Sequence, residues 1–280
     1  MSISAADVRN LREKTGAPMM DCKKALEATG GDFDAAEDHL RKLGLKAAGK
    51  KAGRATGEGK CFISLSEDGK KGAMIALACE TDFVAATEDF QSFLHDLASH
   101  VMANAPADVE ACLAQPWSAG GTVQEALTET IGKLGENMSI TGVKFEESAD
   151  GYVGGYIHHN EKVGVLSAVK TTAGREESNG VLKQLGMHAA ALPPAALHRD
   201  QISSELVERE TAIYREEVAG KPEEIQDKII QGKLEKYFKD NCLVDQPWVM
   251  DDSKSVARAV EDALGKGSEI TDFARFAIGD

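Results

Sequence analysis

The residues of this 280-residue chain that could do chemistry are few and poorly spaced for it. Gly44-Leu45-Lys46-Ala47-Ala48-Gly49-Lys50-Lys51 falls one residue short of a phosphate-binding loop. Such a loop needs Ser or Thr after its Lys to hold magnesium, and a strand before it. Here Lys51 stands in the hydroxyl's place and a helical pattern precedes it, so the stretch reads as a basic linker. His158 and His159 fall on a strand end beside a turn. Neighbours on a strand point to opposite faces, so the pair does not easily chelate one metal and reads as contact residues at a hairpin tip. His100 and His188 lie in matched places on apolar helical faces and read as satisfied structural histidines. No Ser stands in a G-x-S-x-G elbow and no Cys has a catalytic signature around it. Nothing picks out two carboxylates for acid–base work. An enzyme has little to stand on, and neither a cofactor nor a metal is expected.

One segment breaks the rule that apolar groups hide. Glu80-Thr81-Asp82-Phe83-Val84-Ala85 follows a strongly apolar strand pattern and precedes a helix beginning near Thr87. Either Thr81 or Asp82 simply caps that helix with Phe83 tucked beneath it, or the loop presents an acid and a ring side by side. In the second reading the ring enters a pocket on a neighbouring protein while the carboxylate disturbs its charge.

Charge favours a protein partner over nucleic acid. Lys plus Arg is 32 and Asp plus Glu is 46, a net of −14. So acidic a chain repels a phosphate backbone unless its basic residues are gathered on one face. They are gathered only in residues 41–60, seven basic against one acidic. Aromatic residues are too sparse, at 5%, for a stacking platform. No apolar run reaches the length of a membrane span. The start has neither the basic nor the apolar region of a secretory signal. The five cysteines (Cys22, Cys61, Cys79, Cys112, Cys242) are scattered and odd in number. That argues for reduced thiols in a cytosol-like compartment.

The elements that must position these residues follow from periodicity. Three short helices fill residues 1–44: Ser4 caps the first and Gly16 ends it, Pro18 starts the second, and Asp32 caps the third, with Ala36, Leu40 and Leu43 inward and Gly44 at its stop. A mobile basic linker follows. Two strands flank the Asp68-Gly69 turn. Helices then carry Phe90, Phe93, Leu94, Leu97 and Val101, and next Val123, Leu127, Ile131 and Leu134, before a strand near Met138–Glu146. The unit recurs. A hairpin over residues 155–171 precedes a helix near Glu177–Leu192, and Leu97, His100, Ala103 and Pro106 repeat as Leu185, His188, Ala191 and Pro194. The connecting loop differs by four residues between the copies. A charged helical hairpin turns at Gly220-Lys221-Pro222, with Ile202, Leu206, Ile213, Ile225, Ile229 and Tyr237 as its thin seam. A helix with Val256, Val260 and Leu264 and a strand through Ile270 to Ile278 close the chain. The fold class expected is α+β: a three-helix module, a core of two related halves, and an inserted antiparallel hairpin.

Thr81-Asp82-Phe83-Val84-Ala85 after Ala78-Cys79-Glu80 resembles the hallmark of the bacterial elongation factor Ts family. Val8–Ala17 with Met19–Leu26 resembles that family's N-terminal ubiquitin-associated-like bundle. Gly135-Glu136-Asn137, Tyr156-Ile157-His158 with Gly164-Val165-Leu166, His188-Ala189-Ala190, and Gly220-Lys221-Pro222 with Gly232-Lys233-Leu234 match too. The resemblance implies domains at 1–45, a linker at 46–58, core halves at 59–148 and at 149–196 with 240–280, and a coiled-coil hairpin at 197–239. It implies nucleotide exchange on the GTPase elongation factor Tu in the cytoplasm. Arg12, Met19 and Met20 are then grip contacts, and the Thr81, Asp82, Phe83 and Val84 loop enters near the magnesium and phosphate site. There Phe83 wedges between helices and Asp82 perturbs the magnesium. His158 faces another domain of the partner, and the hairpin serves contact or homodimer formation.

Two departures from the family pattern stand out. Thr141-Gly142 replaces the usual basic pair, which alters core electrostatics. The chain ends soon after Phe273-Ala274-Arg275-Phe276, so the C-terminal helix of some members, and its contact, is expected to be absent. The competing readings are an RNA- or ribosome-binding adaptor using the basic stretch, and a nucleotide-binding enzyme using the Gly44–Lys51 near-motif.

Overall fold

The computed structural model of the chain describes residues 3–279, apart from the side chains of residues 45–48 and 223. The first two residues of the start read above as lacking a signal, and four side chains of the near-phosphate loop, thus lie outside the described residues. Helices and strands mix along the chain in an α+β arrangement. Two compact units result, one from the residues up to Phe62, Met74–Phe145 and Phe276 onward, the other from Ile63–Ala73 and Glu146–Arg275.

The first unit opens with α1 (Ala5–Thr15), α2 (Met19–Ala28) and α3 (Phe33–Lys51). Ser4 and Asp7 form a capping box on α1. The Asp32 carboxylate accepts the Ala35 N–H at 3.0 Å at the start of α3. Val8, Leu11, Cys22, Ala25, Leu26 and Ala36 form the small core of this module. There follow along the chain β1 (Glu58–Leu65) and β2 (Lys71–Cys79), whose Ile63–Leu65 and Lys71–Ala73 ends are counted with the second unit, then α4 (Asp82–Ala85), α5 (Glu88–Asn104), α6 (Val109–Ala114), α7 (Val123–Leu134) and β3 (Met138–Glu147), which passes into the second unit at Glu146. The sheet order is β1-β2-β3. Central β2 is buried from Gly72 to Cys79, which is why its sequence is apolar without alternation.

The expected stop at Gly44 is corrected. Helix α3 continues to Lys51, through the first six residues read as linker, and Leu43 is exposed rather than inward. The reason is packing. A Cβ on Gly132 of α7 would stand 3.2 Å from the Gly44 Cα. Gly44 therefore marks a close crossing of α3 and α7, and the favourable helix formers Lys and Ala carry the helix onward.

The second unit contains β4 (Gly151–Ile157), β5 (Val163–Lys170), α8 (Arg175–Ala191), α9 (Ser204–Val218), α10 (Glu223–Asn241), β6 (Pro247–Trp248), β7 (Asp251–Ser255), α11 (Val256–Leu264) and β8 (Glu269–Ala277). The sheet runs β4-β5-β8, with Gly155 opposite Leu166 and Tyr156 opposite Val165. Val165, Val169, Leu182, Leu185, Val256, Val260 and Ile270 belong to one core. Helices α9 and α10 pack against each other, with Lys233 paired to Glu217 and lying over the Tyr214 ring. Their seam keeps Ile202, Leu206 and Tyr237 of the expected one at its base and differs from it further out. Ile213 and Ile225 are exposed, whereas Val218 and Ile230 are buried. In so charged a pair of helices a few apolar positions fix the rotation, and Ile230 next to Ile229 displaces it.

The expected structural histidines are both hydrogen-bonded and in similar settings. His100 Nε2 meets Gln115 Oε1 at 2.7 Å, and its ring lies 5.4 Å from that of Trp117. His188 Nε2 meets Gln246 Oε1 at 2.9 Å, 5.3 Å from Trp248. Each Gln belongs to a Gln-Pro-Trp run whose Gln carbonyl accepts the first N–H of the next helix, from Val123 at 3.0 Å and from Val256 at 2.9 Å. Thr122 and Ser255 cap those helices.

Candidate functional site

The apolar strand β2 ends at Cys79, and the chain must leave the sheet there without stranding its backbone polar groups. It does so through α4, a single helical turn. Thr81 has extended backbone, and its hydroxyl accepts the Val84 N–H at 3.3 Å as an N-cap. Successive residues of a helix point about 100° apart. One turn therefore sorts the segment into two faces. Val84 and Ala85 are buried, while Asp82 is exposed and Phe83 is 82% exposed. Of the two readings of Phe83, tucked beneath a helix or presented outward, the second is the one observed.

Four residues alone make a poor helix, because nucleation is costly. The turn is held from outside by Glu136, just after α7. Thr81 N–H donates to Glu136 Oε2 at 3.0 Å and Thr81 Oγ1 donates to Glu136 Oε1 at 2.7 Å. The reverse tie runs beside it, with Asn137 N–H donating to Glu80 Oε1 at 2.6 Å. Gly135, at φ +82, turns the chain out of α7 so that both Glu136 and Asn137 reach the loop. The Asn137 amide also donates to the Arg54 carbonyl at 2.8 Å, and the Arg54 guanidinium approaches Glu80 at 3.3 Å.

These contacts set the charge of the site. The Asn137 N–H above all holds the Glu80 carboxyl below its ordinary range; burial opposes it, and the Arg54 guanidinium adds a lesser lowering. Burial first, and the Glu136 charge second, push the Cys79 thiol up to about 11. That thiol donates to the Thr81 carbonyl at 3.1 Å and is a packing group rather than a nucleophile. The arrangement can therefore present a ring and a carboxylate to another molecule, but holds no reactive group of its own.

The other sequence-expected residues are placed as follows. Arg12 lies exposed in the last turn of α1. Met19 and Met20, 42% and 59% exposed, start α2 across the Gly16 turn. His158 belongs to the second unit, where its Nδ1 meets the Tyr156 hydroxyl at 2.9 Å. It lies past the end of β4, so strand alternation does not separate it from His159. The two rings are 4.2 Å apart, a correction to the expected opposed pair. Thr81 and Val84 face inward, and Asp82 and Phe83 outward. The backbone of the Gly44–Lys51 stretch is helical, so its amides are not free to cradle a phosphate. Among the described residues there is no cluster of three or more side chains suited to a metal and no helix long and apolar enough to cross a membrane.

Sequence reasoning singled out the loop but missed what holds it: Glu80, Glu136, Asn137 and Arg54. The available signal was the Gly135-Glu136-Asn137 run directly after a helix, a charged residue placed where the chain re-enters a sheet.

Comparison with known proteins bears on the same segment. The family model described as "Elongation factor TS" matches residues 80–280. Across 293 aligned positions the chain is 41% identical to elongation factor Ts of Trichlorobacter lovleyi, covering 100% of this chain and 94% of that one. It is 43% identical to elongation factor Ts of Sphingopyxis alaskensis, at 99% and 93% coverage. With the protein of the same name from Halothermothrix orenii it shares 39%, at 100% and 93% coverage.

Proposed function

Because the chain belongs to the elongation factor Ts family, we propose that it is a guanine-nucleotide exchange factor that acts on elongation factor Tu by inserting the α4 turn beside the bound nucleotide. The observation that carries this reading is Phe83, a large apolar ring left 82% exposed on a turn braced at its N-terminal end. A ring held this way gains by entering a pocket elsewhere. Asp82 beside it brings a negative charge toward the magnesium that helps hold the phosphates. Thr81 and Val84 serve the same act from inside, by keeping the turn in shape.

No bond need form or break. The factor binds the nucleotide-free GTPase better than the GDP-bound one, and by reciprocity it weakens GDP by the same factor. GDP then leaves and GTP refills the site. Arg12, Met19 and Met20, exposed on either side of one tight turn, would grip the GTPase domain, and the three helices would serve as a ubiquitin-associated-like module. His158 would meet another domain of the partner, and the α9–α10 hairpin would support contact or self-association. The setting is the cytoplasm.

The core is read as a duplication. The support is the repeated frame in which His, Gln and Trp meet and the Gln carbonyl starts the next helix, at His100, Gln115 and Trp117 and again at His188, Gln246 and Trp248. Co-purification with elongation factor Tu tests the function. A complex that forms without nucleotide and is dissolved by added GDP is expected, whereas a complex indifferent to GDP overturns the exchange reading.

A further inference from the structure

We infer that Glu136 is the positioning residue of the exchange loop: its carboxylate, taking both the Thr81 N–H and the Thr81 hydroxyl, holds the α4 turn stiff enough for Phe83 to displace groups on the partner instead of being displaced itself. The inference rests on the exchange reading above and deepens it.

The argument is one of hydrogen-bond order. Thr81 Oγ1 can accept the Val84 N–H and close the turn, and its own hydrogen then needs an acceptor. Glu136 Oε1 supplies that acceptor at 2.7 Å. The second oxygen takes the Thr81 N–H at 3.0 Å, so the carboxylate grips Thr81 at two points and fixes its rotation as well as its place. Bonds to an ionised acceptor are about twice as strong as neutral ones. Phe83 stands two residues further on, and little else within the chain touches its ring. The direction in which that ring points is thus inherited from Thr81. Glu80 and Asn137 make the reciprocal tie, which cross-links the two chain segments and leaves Glu136 no freedom to follow the loop. A wedge fixed before docking does not have to be ordered during it.

Glu136 touches no partner under this view, so its loss separates two quantities that a contact residue would move together. In a titration of stimulated GDP release, Glu136→Ala should lower the maximal rate about tenfold. The half-saturating concentration should stay within about twofold, because the exposed Arg12, Met19 and Met20 are untouched. Glu136→Gln, whose one carbonyl oxygen can accept the Thr81 N–H while its amide group donates to Thr81 Oγ1, should restore part of the rate. The double variant Glu136→Ala with Phe83→Ala should be no slower than Phe83→Ala alone, since Glu136 acts only through that ring. Thr81→Val, which takes the hydroxyl from both Glu136 and the Val84 N–H, replaces Glu136→Ala in these assays if the latter does not fold, and it should likewise lower the maximal rate at a kept half-saturating concentration. An unchanged maximal rate overturns the inference, as does a double variant slower than Phe83→Ala by the full factor that Glu136→Ala causes alone. Failure of the unmodified protein to stimulate release at all sinks the exchange reading instead.

Discussion

Replacing Phe83 with Ala isolates the ring from everything that holds it. Phe83 is 82% exposed, so its truncation removes almost no packing within the chain. The brace remains, because the bonds from Glu136 go to Thr81 and not to Phe83. Stability should therefore change by no more than about 0.5 kcal/mol, the usual range for a surface site. On the partner the balance is different. A phenyl ring fully buried there contributes about 1.5–3 kcal/mol. If that contribution is realised mainly as GDP leaves, and about 1.4 kcal/mol is a factor of ten, stimulated release slows about ten- to a hundredfold. Stopped-flow fluorescence with labelled GDP on elongation factor Tu measures this directly, with circular dichroism melts as the control. Release as fast as with the unaltered protein, at unchanged melting temperature, refutes the assignment of the loop. Slower release with a large drop in melting temperature refutes the claim that the ring is not part of the chain's own core.

Three further outcomes follow from the packing. Burial holds His188 below its ordinary 6.5, opposed by the bond to Gln246, and the Val249 N–H donates to its Nδ1 at 3.2 Å. The unfolded chain then takes up the proton first. The stability contributed by neutral His188 is complete above 6.5 and is lost as pH falls below it toward the lowered folded value. Urea midpoints should accordingly fall between about pH 7 and about pH 5, and fall less in His188→Gln. Cys79 and Cys112, both pushed by burial up to about 11, should resist iodoacetamide at about pH 8 until the protein is unfolded, as peptide mass mapping will show. Gly44→Ala, where a Cβ meets nothing within 4 Å, should raise stability by about 1 kcal/mol through helix propensity. Gly132→Ala should gain less or lose, because its Cβ would press on the Gly44 backbone, and thermal melts of the two variants decide.

Much of the architecture could be read from apolar spacing, and the misses have a common cause. Val123–Leu134 and the strand from Met138 were legible because one face of each is buried against a continuous core. Gly44 reads as a stop because propensity sees a missing side chain and not α7, whose Gly132 packs against the Gly44 backbone and leaves the helix free to run on. The outer part of the hairpin seam is misplaced because Ile213 and Ile225 obey the period as well as Val218 and Ile230 do, and only contact chooses between them; the base, with Ile202, Leu206 and Tyr237, is where the spacing puts it. At the site, the oddity of an acid and a ring after a buried strand was visible. Gly135-Glu136-Asn137 was visible as a motif, but its tie to Thr81 was not, because the pair lies 55 residues apart and no periodicity links them. The second Gln-Pro-Trp run was visible in the letters and was passed over, although it repeats beside a histidine in both places.

The duplicated reading also explains where function could be added. Between β2 and α5 the chain spends residues 80–87, and between β5 and α8 only residues 171–174. The longer joint exceeds the shorter by four residues, the length of α4. On the duplication proposed above, the loop that carries Phe83 would be an addition at a strand–helix joint in one half. The other half has its own addition elsewhere, with α9 and α10 lying between α8 and the second Gln-Pro-Trp run, where the first half has only α6. Each added piece is anchored by groups foreign to the repeat: Glu136 grips the first, and Arg199, bound to Glu235 and Asp245, ties the base of the second. A frame repeated for packing, as proposed, would leave its insertions free to diverge. Shortening the first joint to the length of the second, by deleting residues 82–85, should therefore spare the fold and abolish exchange. Loss of folding on that deletion, seen as a collapsed melting transition, would mean that α4 belongs to the frame and that the two halves are not built alike.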